Sequence, residues 1–199
     1  MRCRLSRAIG RRSWSTAALV GRLAVSSGFG LLGAAGASAE ETFTGTIVVP
    51  RGMAQSINAP LTVTIEQYTT DDEARQLREI LDKQGWDEVV KTLRQVNRGS
   101  ARLRDATWPV SWARVFPGQN GARRIMIVTL RPISLPEEEA PPPSMDPTFG
   151  VIQIDLSAQG KGQGLVIGGA RIRLTDEGQI QVESSAPSPR KLINVQIGR

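Results

Sequence analysis

The glycine-rich segment 160–164, GKGQG, is the stretch of this chain whose residue types most suggest chemistry. Its alternating glycines around Lys161 are typical of a phosphate-binding loop, which needs a following helix because the helix amino end holds the phosphate. Here Lys161 is followed by Gly162 instead of Ser or Thr, and the next residues have the pattern of a strand. We therefore predict a β-turn between antiparallel strands, with Lys161 and Gln163 pointing to solvent.

The residue types that most often catalyse reactions are scarce in this chain. It has no histidine and one cysteine, Cys3, so Ser-His-Asp catalysis, Cys-His catalysis and histidine-ligated zinc are excluded. Glycoside hydrolysis needs only two carboxylates, and Glu66, Asp155 and Glu183 lie on predicted strands. Each falls on the polar side of its strand, where acids are normally solvated. We predict no catalytic residue, cofactor or metal ligand, and keep a carboxylate-based hydrolase as an alternative function.

Aromatic residues suggest a different kind of site. Trp108, Trp112 and Phe116 have the same parity along one predicted strand, so we expect them on one face together with Arg114. If exposed, they would form a stacking platform for a sugar or aromatic ligand, with hydrogen bonds from Arg114. If buried, they would belong to a core covered by helices, which we prefer. Trp108, Trp112 and Arg114 remain the candidate ligand-binding residues.

The elements that must position these residues are mainly strands. Segments 43–49 and 61–68 alternate apolar and polar residues, the period of a strand with one buried face. Thr70 to Glu73 fits a capping box, and two apolar stripes separated by Gly85 predict an αα-hairpin over about 71–97 that packs on the sheet. After Gly99 the chain returns to strands, predicted at 101–104, 109–116, 124–133, 149–157, 165–175, 179–184 and 192–197.

The strand patterns indicate a curved sheet. Segment 124–133 is apolar on nearly every residue, so we expect a central strand covered on both faces. Gly168 and Gly169 interrupt the strand that follows and mark a bulge or bend. The predicted fold class is α+β: a curved, mainly antiparallel sheet of about seven or eight strands with one inserted αα-hairpin. Whether the sheet closes into a barrel is left open.

The segment 135–148, LPEEEAPPPSMDPT, differs in composition from the rest of the domain. Its acids and prolines disfavour both helix and strand, so we predict an extended surface loop that is the most mobile part of the domain. The alternative is a polyproline ligand for an aromatic groove on a partner.

The first 39 residues are predicted to be a cleavable export signal. They have a basic start, a run rich in Ala, Leu and Gly, and the small residues Ala37, Ser38 and Ala39 that a signal peptidase recognises. Segment 11–14, RRSW, resembles a twin-arginine signal, so general secretion and twin-arginine export are both open. We predict one domain over residues 40–199, periplasmic or extracellular; a mitochondrial transit peptide with a matrix protein is the alternative.

The net positive charge of the chain comes from this predicted leader. The chain carries a net charge of +6, which would suggest a nucleic-acid or anionic partner. However, six of the 25 basic residues lie in the first 39 residues and all 19 acidic residues follow them, so residues 40–199 are neutral. We therefore predict no nucleic-acid partner, no membrane span after the leader and no disulfide.

These observations leave three function classes. The leading hypothesis is a small exported protein without catalytic activity that binds an unknown ligand or envelope partner, which predicts an apolar cavity between the hairpin and the concave face of the sheet. The second is the carboxylate hydrolase. The third is a structural or assembly factor of the envelope that exposes a sheet edge, with 192–198, LINVQIG, as its candidate, although we expect that segment to be an integral strand.

Overall fold

The computed structural model describes residues 40–51, 55–135, 148–185 and 188–198. The predicted leader and residues 136–147 of the predicted acidic loop lie outside the described residues. The described elements, in chain order, are β1 (Glu41–Arg51), β2 (Gln55–Ile65), α1 (Asp71–Gln84), α2 (Trp86–Arg94), β3 (Gly99–Leu103), β4 (Ala106–Pro117), a 3₁₀ turn (Gln119–Gly121), β5 (Arg123–Thr129), β6 (Phe149–Leu156), β7 (Lys161–Leu174), β8 (Ile180–Ser185) and β9 (Arg190–Ile197).

The strands form one antiparallel sheet in the order β6-β5-β4-β3-β2-β1-β9-β7-β8. Because β6 also pairs with β7, eight strands close into a barrel. The ninth strand, β8, pairs with the second half of β7, from Ala170 to Leu174. The predicted α+β class with a curved, mainly antiparallel sheet is confirmed. The idea of 192–198 as a free sheet edge is wrong, because β9 is paired on one side with β1 and on the other with β7.

The interior of the barrel is filled by alternate apolar side chains from all eight of its strands. On β5, Ile125 and Ile127 face this interior, whereas Met126 and Val128 belong to a second apolar cluster on the outside. The central strand predicted from segment 124–133 is therefore covered on both faces, although β5 ends at Thr129.

One end of the barrel, where β1 and β5 begin, is closed by a polar cluster. The Arg123 guanidinium donates to both carboxylate oxygens of Glu41, at 3.1 Å to Oε2 and 2.9 Å to Oε1, and the Tyr68 hydroxyl also donates to Oε2. Burial, and then the hydrogen bond and charge of Glu41, raise the pKa of the Tyr68 hydroxyl well above its ordinary value. Arg123 also lies 5.9 Å from the ring centroid of Phe43.

The opposite end is closed by the chain that leaves β5. Ile133 is fully buried in the interior cluster, and its backbone N–H donates to the carbonyl of Gly168 at 2.8 Å. Its carbonyl accepts from Nη2 of the buried Arg190 at 2.8 Å. The indole N–H of Trp108 donates to the carbonyl of Pro132 at 2.9 Å. Each end of the interior is therefore closed by groups that hydrogen-bond to other parts of the chain.

The segment GKGQG belongs mostly to a strand. The chain reverses before it, where Gly160 has φ +72° and its N–H donates to the carbonyl of Ser157 at 3.0 Å, and β7 begins at Lys161. The prediction of a turn over 160–164 is therefore wrong except at Gly160. Lys161 and Gln163 are exposed, as predicted.

The glycines of this segment allow the barrel to close. A Cβ on Gly162 would lie 1.9 Å from the carbonyl oxygen of Asp155, and one on Gly164 would lie 2.0 Å from that of Gln153. Both carbonyls are on β6, the strand that pairs with β7 to complete the ring. A larger residue at either position would force these two strands apart.

Gly168 and Gly169 mark an irregularity in the same strand pair, as predicted. Phe149 pairs with Ala170 but Val151 pairs with Ile167, so β7 has one extra residue between these positions. A bulge of this kind bends a strand and increases its twist. It lies where β7 leaves the barrel and begins to pair with β8.

The predicted helical hairpin is present. The capping box is complete, because Glu73 N–H donates to Thr70 Oγ1 at 3.2 Å and Thr70 N–H donates to Glu73 Oε2 at 2.8 Å. Gly85, with φ +82°, ends α1, and α2 ends at Arg94, earlier than predicted. Leu77, Val89 and Leu93 join the outer apolar cluster, so the hairpin covers the convex side of the sheet and not the concave side. Neither helix in the described part of the chain has the length and hydropathy needed to cross a membrane.

Candidate binding cavity

A cavity of about 140 Å³ lies where the helical hairpin meets the outer face of β4. The two helices form one side of its wall, β4 forms the other, and the residues just before α1 and just after α2 complete it. The apolar wall residues are Leu77, Ile80, Leu93, Val96 and Trp112, and the polar ones are Thr69, Glu73, Gln76, Thr92, Arg98 and Ser111.

Backbone hydrogen bonds attach both ends of the hairpin to β4. Before α1, the N–H of Thr69 donates to the carbonyl of Ala113 at 2.6 Å, and the N–H of Ala113 donates to Thr69 Oγ1 at 3.2 Å. After α2, the N–H of Arg98 donates to the carbonyl of Val110 at 2.7 Å. These bonds lie on either side of Ser111 and Trp112, so the hairpin is held directly over those two residues.

Ser111 is an extra residue in β4. Val110 pairs with Thr129 and Trp112 with the adjacent Val128, so a β-bulge falls at Ser111. A bulge changes the face to which the following side chains point. Trp112 therefore lies in the outer cluster beneath the hairpin, while Val110 lies in the barrel interior.

The one ion pair of the cavity wall joins Glu73 to Arg98, whose Nη2 donates to Glu73 Oε1. The Arg98 side chain is only 9% exposed and that of Glu73 is 35% exposed. Partial burial opposes ionisation of Glu73, but the hydrogen bonds from Thr70 and Arg98 outweigh it and lower the pKa of Glu73 below its ordinary value. The wall therefore holds one balanced pair of charges.

Two buried N–H groups of wall residues have no acceptor among the described residues: Nε of Arg98 and Nε1 of Trp112. Arg98 is 7% exposed and Trp112 is 0% exposed, so bulk water does not reach either group. An unsatisfied buried donor costs about 1–3 kcal/mol of stability, more when it is charged. The unpartnered buried side-chain atoms of this wall are all donors.

The structure separates the candidate ligand-binding residues. Trp108 lies in the barrel interior at 7% exposed, and Trp112 lies outside, so the prediction that they share a face is wrong because of the bulge between them. Both are buried, as the core interpretation predicted. Arg114 follows Trp112 on the outer face, hydrogen-bonds Asp71 and lies 5.6 Å from the ring centroid of Phe116. Of the three candidates, only Trp112 lines the cavity.

The acids considered for hydrolysis are not brought together. Glu66 follows β2, Asp155 is on β6 and Glu183 is on β8, and no two of these strands are neighbours. Asp155 pairs with Arg124 at 2.6 Å. The described residues also contain no group of three or more acids, histidines or cysteines arranged to hold a metal ion.

The apolar residues of the cavity wall lie on the predicted apolar stripes of the helices and at Trp112, but the polar residues of the wall are not predicted by the sequence. Glu73 was identified only as a helix cap, and Arg98 and Ser111 were not identified at all. Ser111 gives no local signal of a bulge, because a serine between Val110 and Trp112 fits the regular alternation of a strand with one apolar face. Arg98 has no local signal, because its burial depends on how the hairpin closes over β4.

We compared the chain with protein-family models, with curated proteins and with solved structures, and found no match in any of the three. Function therefore has to be argued from the chemistry of the site itself.

Proposed function

We propose that this chain is an exported, non-catalytic protein that binds a small ligand in the cavity between its αα-hairpin and β4. The cavity is the observation that carries the proposal, because a mostly apolar hollow with a few converging polar groups is the usual form of a small-molecule site. The barrel interior is instead filled with buried apolar side chains, and hydrogen-bonded groups close both of its ends.

The size of the cavity limits the ligand. A volume of about 140 Å³ is close to the roughly 150 Å³ of a cavity that accommodates benzene. Drug-sized ligands occupy pockets of about 300–1,000 Å³. The ligand is therefore a compact molecule, of the size of a single six-membered ring.

Native mass spectrometry of protein expressed from the full chain tests this proposal. The export part predicts the mass of residues 40–199, and the binding part predicts an additional small mass that denaturation removes. Recovery of the protein only from the cytoplasm, with the first 39 residues retained, would contradict export. A protein without any bound mass would then be titrated with benzene and followed by NMR chemical shifts of the cavity residues.

A cavity-filling variant locates the binding site. Val96→Phe places an aromatic ring on a residue of the cavity wall, so we expect it to abolish benzene binding. Val90→Phe is the matched control, because Val90 is also partly buried against the outer cluster but does not line the cavity. Absence of benzene binding to the wild type, or equal binding to both variants, would contradict the proposal.

A second candidate, an assembly factor, has one observation in its favour. β8 pairs only with β7 among the described strands, so its other edge is available to an added strand. Strand addition predicts that a partner protein slows hydrogen exchange at the amides of β8 and leaves exchange at β9 unchanged. Unchanged exchange at β8 in a partner complex would eliminate this candidate.

A further inference from the structure

A second, more open cleft of about 480 Å³ lies between the helical hairpin and the turn that joins β7 to β8. We call it the β7–β8 cleft. It shares no wall residue with the cavity beneath the hairpin, so a site here is separate from that of the proposed function. Its volume lies within the range of about 300–1,000 Å³ that is usual for small-molecule pockets.

Contacts between α1 and the β7–β8 turn hold the two walls of this cleft together. Arg78 on α1 donates from Nη1 to the carbonyl of Leu174 at 2.9 Å and forms an ion pair with Asp176 at 3.4 Å. A Cβ on Gly178 would lie 2.3 Å from the carbonyl oxygen of Ala74, so the turn lies directly against the helix. The β7–β8 cleft is therefore preformed in the fold.

The inner part of the cleft is apolar. Its apolar wall residues are Leu81, Trp86 and Leu174, all of which belong to or pack against the outer apolar cluster. Trp86 is half-buried, and its ring centroid lies 6.0 Å from that of Phe149, which supports the indole from within the cluster. An indole fixed in this way offers a large, flat apolar surface to a ligand.

The polar wall residues are accessible and include both donors and acceptors. Arg173 is exposed, and its Nε and Nη2 donate to Oε1 of Gln181 at 3.0 and 2.6 Å. These bonds align the guanidinium plane without neutralising its charge, because the partner is a neutral amide. The carboxylate of Asp176 is 93% exposed, and Glu177 is also exposed. Charged groups in such positions form strong hydrogen bonds with neutral ligand groups.

The charges of this wall do not favour an ion. Two arginines, Arg78 and Arg173, are balanced by two acids, Asp176 and Glu177. An anion would meet the two carboxylates as well as the arginines, and a cation would meet the arginines as well as the carboxylates. A neutral molecule that both donates and accepts hydrogen bonds avoids this conflict.

We propose that the β7–β8 cleft binds a carbohydrate of one or two rings. A sugar ring has an apolar C–H face and uncharged hydroxyl groups, each of which can donate and accept a hydrogen bond. Its C–H face lies on Trp86, and its hydroxyls accept from Arg173 and donate to Asp176 or Glu177. This proposal goes beyond the proposed function, because it assigns a second ligand class to a second site.

NMR titration of the protein with neutral disaccharides tests the proposal. The probes are cellobiose, lactose, maltose and N,N′-diacetylchitobiose. We expect at least one of them to shift the Trp86 indole signal, and its own C–H protons to move upfield because they lie over the indole ring. The buried Trp108 and Trp112 are internal controls whose signals should not move. If none of these sugars shifts the Trp86 signal, or if only citrate does, the proposal is wrong.

Variants of exposed residues provide a second measurement. Arg173→Met keeps the length of the side chain and removes its donors, so we expect the affinity for the bound disaccharide to fall about five- to tenfold. Arg171→Met is the matched control, because Arg171 is exposed on the same strand but does not line the cleft. An unchanged affinity in Arg173→Met, or an equal loss in both variants, would overturn the assignment.

Trp86→Leu tests the stacking surface, because it keeps an apolar side chain and removes the flat ring. We expect a further loss of about three- to tenfold in disaccharide affinity. Since Trp86 packs against the outer cluster, thermal unfolding must first show that this variant is folded. If it is not folded, Arg173→Met alone decides.

The two cavities can be distinguished by crossing their variants. Val96→Phe should abolish benzene binding and leave disaccharide binding unchanged, whereas Arg173→Met should do the reverse. Loss of disaccharide binding in Val96→Phe together with its retention in Arg173→Met would place the sugar beneath the hairpin and contradict this proposal. Absence of benzene binding with normal disaccharide binding would contradict only the proposed function.

Discussion

The inside of the barrel and the layer beneath the hairpin are both apolar cores, and they differ in whether the indole N–H of the buried tryptophan has a hydrogen-bond partner. Inside, the Trp108 indole reaches the carbonyl of Pro132, and the acid at the barrel end, Glu41, accepts from both Arg123 and Tyr68. These groups follow the general rule that buried polar atoms are hydrogen-bonded.

The outer layer departs from that rule at one place. Arg98 and Trp112 leave buried donors without protein partners, and both residues line the same cavity. Each such donor lowers stability, so a region optimised only for stability would not keep them. In the proposed function, the barrel would provide the rigid support and the layer beneath the hairpin would hold the ligand.

The largest loss of stability is expected from a substitution that forces apart β6 and β7, the two strands that close the barrel. Gly162→Ala puts a methyl group 1.9 Å from a backbone oxygen of β6, so we expect a loss of at least about 3 kcal/mol in the free energy of unfolding, the upper end of the range for overpacking. Urea denaturation measures this value. Gly85→Ala is the control: no atom lies within 4 Å of its added Cβ, so it should cost only the strain of its positive φ, about 1–3 kcal/mol. Equal losses would contradict the role given to Gly162.

The two tryptophans allow the same substitution in both regions. Trp108→Phe removes a satisfied N–H from the interior, and Trp112→Phe removes an unsatisfied one from the outer layer. We expect Trp108→Phe to be the more destabilising by about 1–3 kcal/mol, because only Trp112→Phe relieves an unpaired donor. Thermal and urea unfolding of the two variants provide the comparison. A larger loss for Trp112→Phe would mean that its N–H is already satisfied.

Much of the fold could be predicted from periodicity because each strand has its own local pattern. The alternation in β1 and β2, the capping box at Thr70 and the fully apolar β5 each appear within a few residues of sequence. Closure of the barrel could not be predicted in this way. It depends on β6 pairing with β7 at a distance that only glycine permits, and glycine-rich sequence is equally typical of turns.

The candidate site was harder to predict because it depends on a change of parity and on long-range packing. One extra residue, Ser111, moves Trp112 to the face opposite Trp108, and a two-residue period does not reveal such an insertion. Arg98 is buried because the hairpin ends at that point and its N–H reaches Val110. Charged residues at helix ends are usually solvated, so composition favoured the opposite expectation.

The outer layer should lose stability at acidic pH. Because the pKa of Glu73 is lowered in the folded protein, its contribution is present above its ordinary pKa of 4.5 and is lost as pH falls below that value. Glu73→Gln should cost about 1–2 kcal/mol at neutral pH, since the buried Arg98 loses its counter-charge, and should flatten the acid limb of the stability curve.

Glu79→Gln on the same helix is the matched control for this measurement. Glu79 and its partner Lys83 are both exposed, so we expect a change within about 0.5 kcal/mol at any pH. If Glu79→Gln flattens the acid limb as much as Glu73→Gln does, the Glu73–Arg98 pair is not the cause of the acid sensitivity.

The barrel end should show the opposite pH dependence, with the smallest effect of the series. The raised pKa of Tyr68 means that its contribution is present below its ordinary pKa of 10.0 and is lost as pH rises above that value. Tyr68→Phe should lower stability by about 1 kcal/mol at neutral pH through loss of the hydrogen bond to Glu41, and should reduce the decline in stability at alkaline pH. The measurement is urea unfolding over a pH series, and an unchanged alkaline decline would show that Tyr68 does not link the barrel end to pH. Benzene binding should be unaffected in this variant, because Tyr68 closes the barrel end and does not line the cavity beneath the hairpin.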